Sequence, residues 1–262
     1  MAKIIIYFIL ICLSLYVLLG VLLYFNTDRF LYHPNGEDFY ECDGFENFSR
    51  GEFNGTRFYF NFEEESDKIL VYYHGNGGTA CDRTYLAQRF KRFGINLLFV
   101  EYSGYANDTR KPSKELLLND AVNMKKYLDY TNHTNIVVLG ESLGTAIALH
   151  HSYVDDNVYS VVILAGFDSI KNIAENRYLK YYPVSLYDYD NYDNMNYLQN
   201  YSGKLIMIHG TLDENIPIQN ARNLYETATT KDKKFEEYNY AKHDDLFRYY
   251  YTYQLIREGI TK

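Results

Sequence analysis

The sequence predicts an α/β protein, a mostly parallel sheet flanked by helices behind one N-terminal membrane-spanning helix. Three observations predict it. Residues 4–25 run 22 positions without a charge. After them, short runs rich in β-branched and aromatic residues alternate with longer helical patterns, as in a parallel sheet covered by crossover helices. Finally, Gly140-Glu141-Ser142-Leu143-Gly144 joins one such run to a helix of small residues, the setting of a sharp strand-to-helix turn.

At 1.5 Å per residue, a helix over residues 4–25 crosses the hydrocarbon core of a bilayer. A cleaved signal peptide would carry a shorter apolar region ending in a small-x-small site, and none precedes Asn26. The expectation is therefore an uncleaved signal-anchor. Lys3 and the α-amino group precede the span, while Asp28 and Arg29 cancel just after it. This points to a cytoplasmic N-terminus, with residues 27–262 lumenal or extracellular. Five sequons, at Asn47, Asn54, Asn107, Asn132 and Asn200, suggest a glycoprotein. Cys12 lies in the span, and Cys42 and Cys81, which could pair in an oxidising lumen, read more simply as two buried thiols.

Residues 39–62 alternate, with Gly at 44, 51 and 55, and read as antiparallel strands. Strands of the main sheet are expected at 68–73, 95–101, 135–139, 160–164, 204–208 and, more weakly, 234–238. Helices are expected near 79–93, 113–129, 143–154, 169–180 and 218–228. No repeat or long Gly/Ser linker divides residues 27–262, so they read as one domain. With 23% charged and 47% hydrophobic residues, wholesale disorder is excluded. A net charge of −8 leaves no footprint for nucleic acid. Three Cys are too few for a disulfide scaffold or a thiolate cluster, and HExxH and CxxC are absent, so no metal or organic cofactor is expected.

In the strand-turn-helix at 135–154, Cβ atoms at either flank of the turn would collide with neighbouring backbone, hence Gly140 and Gly144. Ser142 is then lifted clear of the sheet as a candidate nucleophile. A serine needs a base, and the base an orienting carboxylate, in the chain order Ser, acid, His. His151 belongs to the serine's own helix and His209 ends a buried strand, which leaves His243, in a polar loop after the last strand. Asp213 follows the strand at 204–208 and is the expected acid, with Glu214 and Asp190 as runners-up. Asp244 and Asp245 read as solvated loop carboxylates. The backbone N–H of Leu143 and a second donor, assigned to Asn76 in the run His74-Gly75-Asn76-Gly77-Gly78, would form an oxyanion hole. His74 itself reads as structural.

At this point the residues resemble the α/β-hydrolase superfamily, and within it the membrane-anchored serine hydrolases of the lysophospholipase-like and depalmitoylase-like branch. The matching pieces are YYHGNGG at 72–78, EYSGYANDTRKPSKELLLNDA at 101–121, LGESLGTAIA at 139–148, HGTLDENIP at 209–217 and AKHDDL at 241–246. The resemblance implies an eight-stranded sheet, a lid at 169–200, and Ser142, Asp213 and His243 as the triad. It implies a lipid-like substrate whose carboxylic ester or thioester is cleaved through an acyl-enzyme. The run GYANDT at 104–109 departs from the branch's usual pattern in a loop that borders the pocket, so Tyr102, Gly104 and Tyr105 are candidate substrate contacts. The N-terminal cysteine cluster of depalmitoylase-like members is replaced by the apolar span. The alternatives are a serine peptidase on the same fold and a catalytically idle binding module, which should have lost a triad member.

Tyrosine is abundant, 30 residues against no Trp, and it clusters. Eight lie within 178–201 and six within 238–253. Amphipathic rings suit a rim between an acyl pocket and water, which makes Tyr182 and Tyr187 candidate substrate contacts.

Overall fold

The computed structural model describes residues 2–63, 65–175 and 192–261. Helix α1 (Ala2–Leu31) leads the chain and carries an apolar stretch from Lys3 to Leu23 with mean hydropathy 2.9. Its side chains there stand almost wholly exposed, as in Ile4, Phe8 and Leu15. The helix outlasts the predicted span because Asn26 and Thr27 do not stop it. Their side chains donate back to the carbonyls of Leu22 (2.8 Å) and Leu23 (3.0 Å).

Strands β1 (Ser49–Phe53) and β2 (Thr56–Asn61) form a hairpin. It turns at Asn54 and Gly55, both at positive φ, the conformation that a tight hairpin requires. Residues 39–48, expected in the alternating region, form turns instead. Phe39 and Phe45 leave that segment to pack on Tyr59 of the hairpin, which favours a folded-back loop over a paired strand.

The remaining strands are β3 (Lys68–Tyr73), β4 (Asn96–Glu101), β5 (Asn135–Glu141), β6 (Val158–Leu164), β7 (Lys204–Gly210) and β8 (Lys233–Tyr238). The eight strands stand in the order β1-β2-β4-β3-β5-β6-β7-β8. Only the β1–β2 and β2–β4 pairs are antiparallel. The strand interiors are near-continuous apolar runs because helices cover both faces.

One face packs on α3 (Lys114–Tyr130), α4 (Gly144–Val154) and α7 (Ile218–Thr227). The other packs on α2 (Thr84–Phe90) and α8 (Tyr250–Ile260). Two short helices, α5 (Ile170–Ile173) and α6 (Asn194–Gln199), bound the predicted lid. Helix α8 has no counterpart among the expected elements. It buries Thr252, Tyr253, Leu255, Ile256, Gly259 and Ile260, a helical spacing that the neighbouring exposed tyrosines Tyr250 and Tyr251 disguise.

Cys42 and Cys81 are bonded to each other, not separate thiols as the sequence suggested. The folded-back segment at 39–48 brings the two together, with their Cα atoms 5.9 Å apart. Closing a loop of sequence separation 39 restricts the unfolded chain and contributes about 4 kcal/mol on chain-entropy grounds.

Candidate active site

The turn after β5 holds Ser142 at φ 53°, a left-handed conformation that a serine adopts only when its surroundings impose it. They do so through two glycines. A Cβ on Gly140 would lie 2.4 Å from the Gly144 carbonyl oxygen, and one on Gly144 would lie 2.1 Å from that of Tyr73. The Ser142 N–H donates to the Leu164 carbonyl (2.9 Å), and α4 begins at once with Thr145 N–H on the Ser142 carbonyl (2.9 Å). The side chain therefore points over the carboxyl ends of the parallel strands.

His243, in the 3₁₀ turn that follows β8, brings Nε2 within 3.0 Å of Ser142 Oγ and Nδ1 within 2.7 Å of Asp213 Oδ2. An ionised carboxylate can only accept, so Nδ1 carries the proton and Nε2 is left to accept from the serine. Asp213 is anchored by the backbone N–H groups of Asn215 and Ile216, 2.8 Å each, on Oδ1. Burial alone would raise the Asp213 carboxyl, but hydrogen bonds from His209 and His243 outweigh it and hold the group well below the usual carboxylate range. Burial opposes charging His243, yet the hydrogen bond and charge of Asp213 leave the imidazole above its ordinary value.

The other candidates fall elsewhere. His151 is sealed in α4, 2.6 Å from the Tyr73 hydroxyl. His209 is fully buried and donates Nε2–H to the Ile216 carbonyl (2.9 Å), with Asp213 Oδ2 3.3 Å away. It thus supports the acid, a role that its position at a strand end did not reveal. Glu214 is exposed, Asp245 accepts from the Lys242 N–H (3.1 Å), and Asp190 lies outside the described residues. Asp244 borders the cavity beside His243.

Leu143 and Asn76 both line the cavity next to Ser142, and neither backbone N–H has a partner among the described residues. The Asn76 side chain and carbonyl are committed elsewhere. Nδ2 donates to the Leu31 carbonyl (3.1 Å), and the carbonyl accepts from His33 N–H (3.1 Å) and the Tyr105 hydroxyl (3.0 Å).

Tyr102, Gly104 and Tyr105 do not meet the cavity, which corrects the expectation that they contact substrate. All three are buried. The Tyr102 hydroxyl donates to the His74 carbonyl (2.6 Å), so both tyrosines prop the 74–78 loop from beneath. Gly104 sits at φ 90°, where a Cβ would lie 2.4 Å from Pro112 N. Tyr182 and Tyr187 lie outside the described residues. Of the 178–201 cluster, Tyr192 and Tyr201 are buried and Tyr197 half-buried, so these three form no rim.

A group that the sequence did not flag flanks the serine. Glu141 accepts from the Tyr72 hydroxyl and lies 3.4 Å from Arg83, whose Nη2 donates to the Gly77 carbonyl (3.2 Å). Glu141, next to Ser142, is thereby tied to the loop that faces it. On the far wall, buried Asp168 accepts from Asn172 (2.7 Å), Asn220 (2.8 Å) and Asn223 (3.0 Å), fixing the start of α5 to α7.

The cavity over Ser142 has a volume of about 780 Å³. Phe167, Ile170, Ile173 and Ile216 line one side, Leu23, Thr27, Phe30 and Leu31 of α1 the other. A smaller cavity of about 230 Å³ adjoins His243 and is bordered by Asp82, Arg83, Tyr85 and Asp244.

A sheet that lifts one strained serine above the ends of its parallel strands, within reach of a histidine from beyond the last strand, is the framework of the α/β-hydrolases. By fold and family match the chain belongs to that superfamily. Residues 103–249, more than half of the chain, match the prolyl oligopeptidase family, and the chain belongs to that family. It is similar to protein YfhR of Salmonella typhi, 28% identical over 196 residues that cover 67% of this chain and 64% of that protein. It is also similar to the membrane protein YNL320W of Saccharomyces cerevisiae, 26% identical over 162 residues, 60% of this chain and 57% of that one. The chain thus spans less than two thirds of the length of these relatives. Among solved structures it resembles in fold the Pyrococcus furiosus esterase Pf2001, with a TM-score of 0.68 and 16% identity, covering 88% of this chain and 100% of that one.

Proposed function

We propose that the chain is a membrane-anchored serine esterase that cleaves carboxylic esters or thioesters of lipid-like substrates. One observation carries the reading, the unbroken line Ser142 Oγ, His243, Asp213 opening on a large, mostly apolar cavity. Ser142 Oγ attacks the carbonyl carbon while His243 Nε2 takes its proton, and Asp213 holds the Nδ1–H tautomer and stabilises the imidazolium. The N–H groups of Leu143 and Asn76 receive the oxyanion, each such donor being worth about 3 kcal/mol in the transition state. His243 then protonates the leaving group. Next it activates water to attack the acyl-enzyme, which restores the serine.

Membrane attachment through residues 4–25 is supported by the exposed apolar face of α1, which the described domain leaves uncovered. The Cys42–Cys81 bond and five exposed sequon asparagines support a lumenal or extracellular domain and a glycoprotein. Family membership favours one second reading, a serine peptidase using the same three residues.

A fluorophosphonate probe tests the mechanism. Wild-type protein should be labelled and Ser142→Ala should not, and equal labelling of both would refute the assignment. Parallel assays on acyl esters, lysophospholipids, acyl-cysteine peptides and aminopeptidase substrates rank the chemistries. Amides cleaved in preference to every ester would establish the peptidase. An endoglycosidase shift of the protein made in eukaryotic cells tests the topology, and protease access from the cytosol without a shift would reverse it.

A further inference from the structure

Helix α1 contributes directly to the cavity that holds the serine. Leu23, Thr27, Phe30 and Leu31 are spaced i, i+4, i+7 and i+8, so they share one helix face, and all four border the same space as Ser142. Leu23 is also the last residue of the apolar span. The cavity therefore begins where the span ends, and follows α1 for eight residues, about 12 Å. This end of the helix is fastened to the loop that faces the nucleophile. Asn76 Nδ2 donates to the Leu31 carbonyl (3.1 Å), His33 N–H to the Asn76 carbonyl (3.1 Å), and Gly78 N–H to the His33 carbonyl (3.2 Å). Lys111 pairs with Asp28 at 2.7 Å one turn earlier. The tyrosine insertion reaches the same corner, where the Tyr32 and Tyr192 hydroxyls meet at 2.8 Å.

An isolated anchor needs none of this. A tether can leave a domain through a loose linker, whereas α1 runs into the domain without a break and walls its reactive centre. Its partner wall is Phe167, Ile170 and Ile173, so both walls are mostly apolar. Among the polar lining residues, Ser142, His243, Glu141 and Arg83 cluster at one end, and Thr27 on α1 returns its hydroxyl to the Leu23 carbonyl (3.0 Å).

We infer that the last two turns of α1 are one wall of an acyl-chain site, and that a single-chain lipid ester slides into it sideways from the bilayer along α1. This rests on the esterase reading above. The chain packs between α1 and the 167–174 wall, the carbonyl stops over Ser142, and the polar leaving group lies toward the small cavity at Asp82, Arg83 and Asp244. Phe30, 65% exposed, stands at the mouth.

The test uses the full chain in phosphatidylcholine vesicles and a sixteen-carbon alkyl fluorophosphonate with a diazirine near its tail. After labelling and photolysis, peptides joined to the Ser142 adduct are mapped by mass spectrometry. Crosslinks within residues 23–31 are expected. Crosslinks confined to 167–174 and 215–216, or to bulk lipid, would overturn the inference while leaving the serine mechanism intact. Failure to label Ser142 at all would remove the esterase reading, and this inference with it.

A second measurement reads the same wall kinetically. Thr27→Trp should lower the ratio of kcat/KM for sixteen-carbon over four-carbon nitrophenyl esters at least about tenfold. Labelling by a short fluorophosphonate reports that the variant is folded. An unchanged ratio in a labelled variant counts against the wall.

Discussion

Four histidine–carboxylate pairs lie among the described residues, two of them sharing Asp213, and of these only His243–Asp213 reaches the Ser142 hydroxyl. His74 and Glu101, at the ends of β3 and β4, approach to 3.5 Å, and His151 and Asp155, at the C-terminal end of α4, approach to 3.4 Å. Both pairs are sealed, with every side chain at most 1% exposed. His243 and Asp213 approach to 2.7 Å, and the imidazole keeps 14% of its surface exposed while Nε2 lies 3.0 Å from Ser142 Oγ. The pair itself is common. Its meaning comes from access and from what the second ring nitrogen meets. In His151 that nitrogen meets the Tyr73 hydroxyl, which pins α4 to the sheet. In His74 it meets the Gly75 carbonyl at 2.8 Å, which shapes the loop facing the serine. In His243 it meets the Ser142 hydroxyl at 3.0 Å.

The comparison breaks most visibly at Ser142. Ser142→Ala should lower kcat by roughly 10⁶-fold and Asp213→Asn by roughly 10³–10⁴-fold, measured on a soluble short-chain ester. A Ser142→Ala enzyme with appreciable turnover would mean that the chemistry lies elsewhere.

A carboxylate without any histidine sharpens the contrast. Buried Asp120 accepts from the hydroxyls of Thr56 (2.6 Å) and Ser103 (2.7 Å), and burial pushes its carboxyl up to about 6, whereas Asp213 moves down. A raised acid binds its proton more tightly in the folded chain. Its contribution to stability is therefore present below the unfolded value of 3.8 and is lost as pH rises toward 6, by about 3 kcal/mol. Asp120→Asn should flatten the dependence of unfolding free energy on pH between 4 and 6. An undiminished slope in the variant would show that another group sets it.

Asp155→Asn should cost about 1–3 kcal/mol of stability by chemical denaturation, and leave kcat/KM within about threefold because the pair lies at the opposite end of α4 from the serine. A large kinetic loss at full stability would erase the distinction between the sealed pair and the one at Ser142.

The smallest effect is a shift in midpoint. His243 must be neutral to accept the serine proton, and Asp213 holds its imidazole above 6.5, so kcat/KM should rise with pH to a half-maximum above 6.5. The residual activity of Asp213→Asn should show that midpoint displaced downward. A midpoint that stays put would detach the limb from His243. The same pair favours the fold at pH below 6.5, and that gain is lost as pH rises through the elevated His243 value.

The elbow was legible because its constraints are local. Two glycines, a β-branched strand before and small residues after suffice to place Ser142, and chain order then narrows the histidines. What the sequence hid depends on distant neighbours. Cys42 and Cys81 meet only because residues 39–48 fold back on Tyr59. Tyr102 and Tyr105 have the composition of a pocket rim, yet their hydroxyls are drawn inward by the carbonyls of His74 and Asn76. Helix α8 was masked because Tyr250 and Tyr251 read as part of a tyrosine cluster, while its apolar residues fall one turn apart behind them. The uncharged run at 4–25 announces a span by composition, but composition says nothing of which loop the helix will grip.

That grip sets where this protein can be trimmed. Asn76 fastens Leu31 with its side chain and His33 with its carbonyl, so a preparation beginning after residue 33 would surrender those tethers together with a cavity wall. Cutting between Leu23 and Thr27 instead discards the greasy length and keeps the clasp. The boundary between the apolar stretch and the folded domain thus falls inside helix α1, several residues ahead of Leu31, where the helix ends.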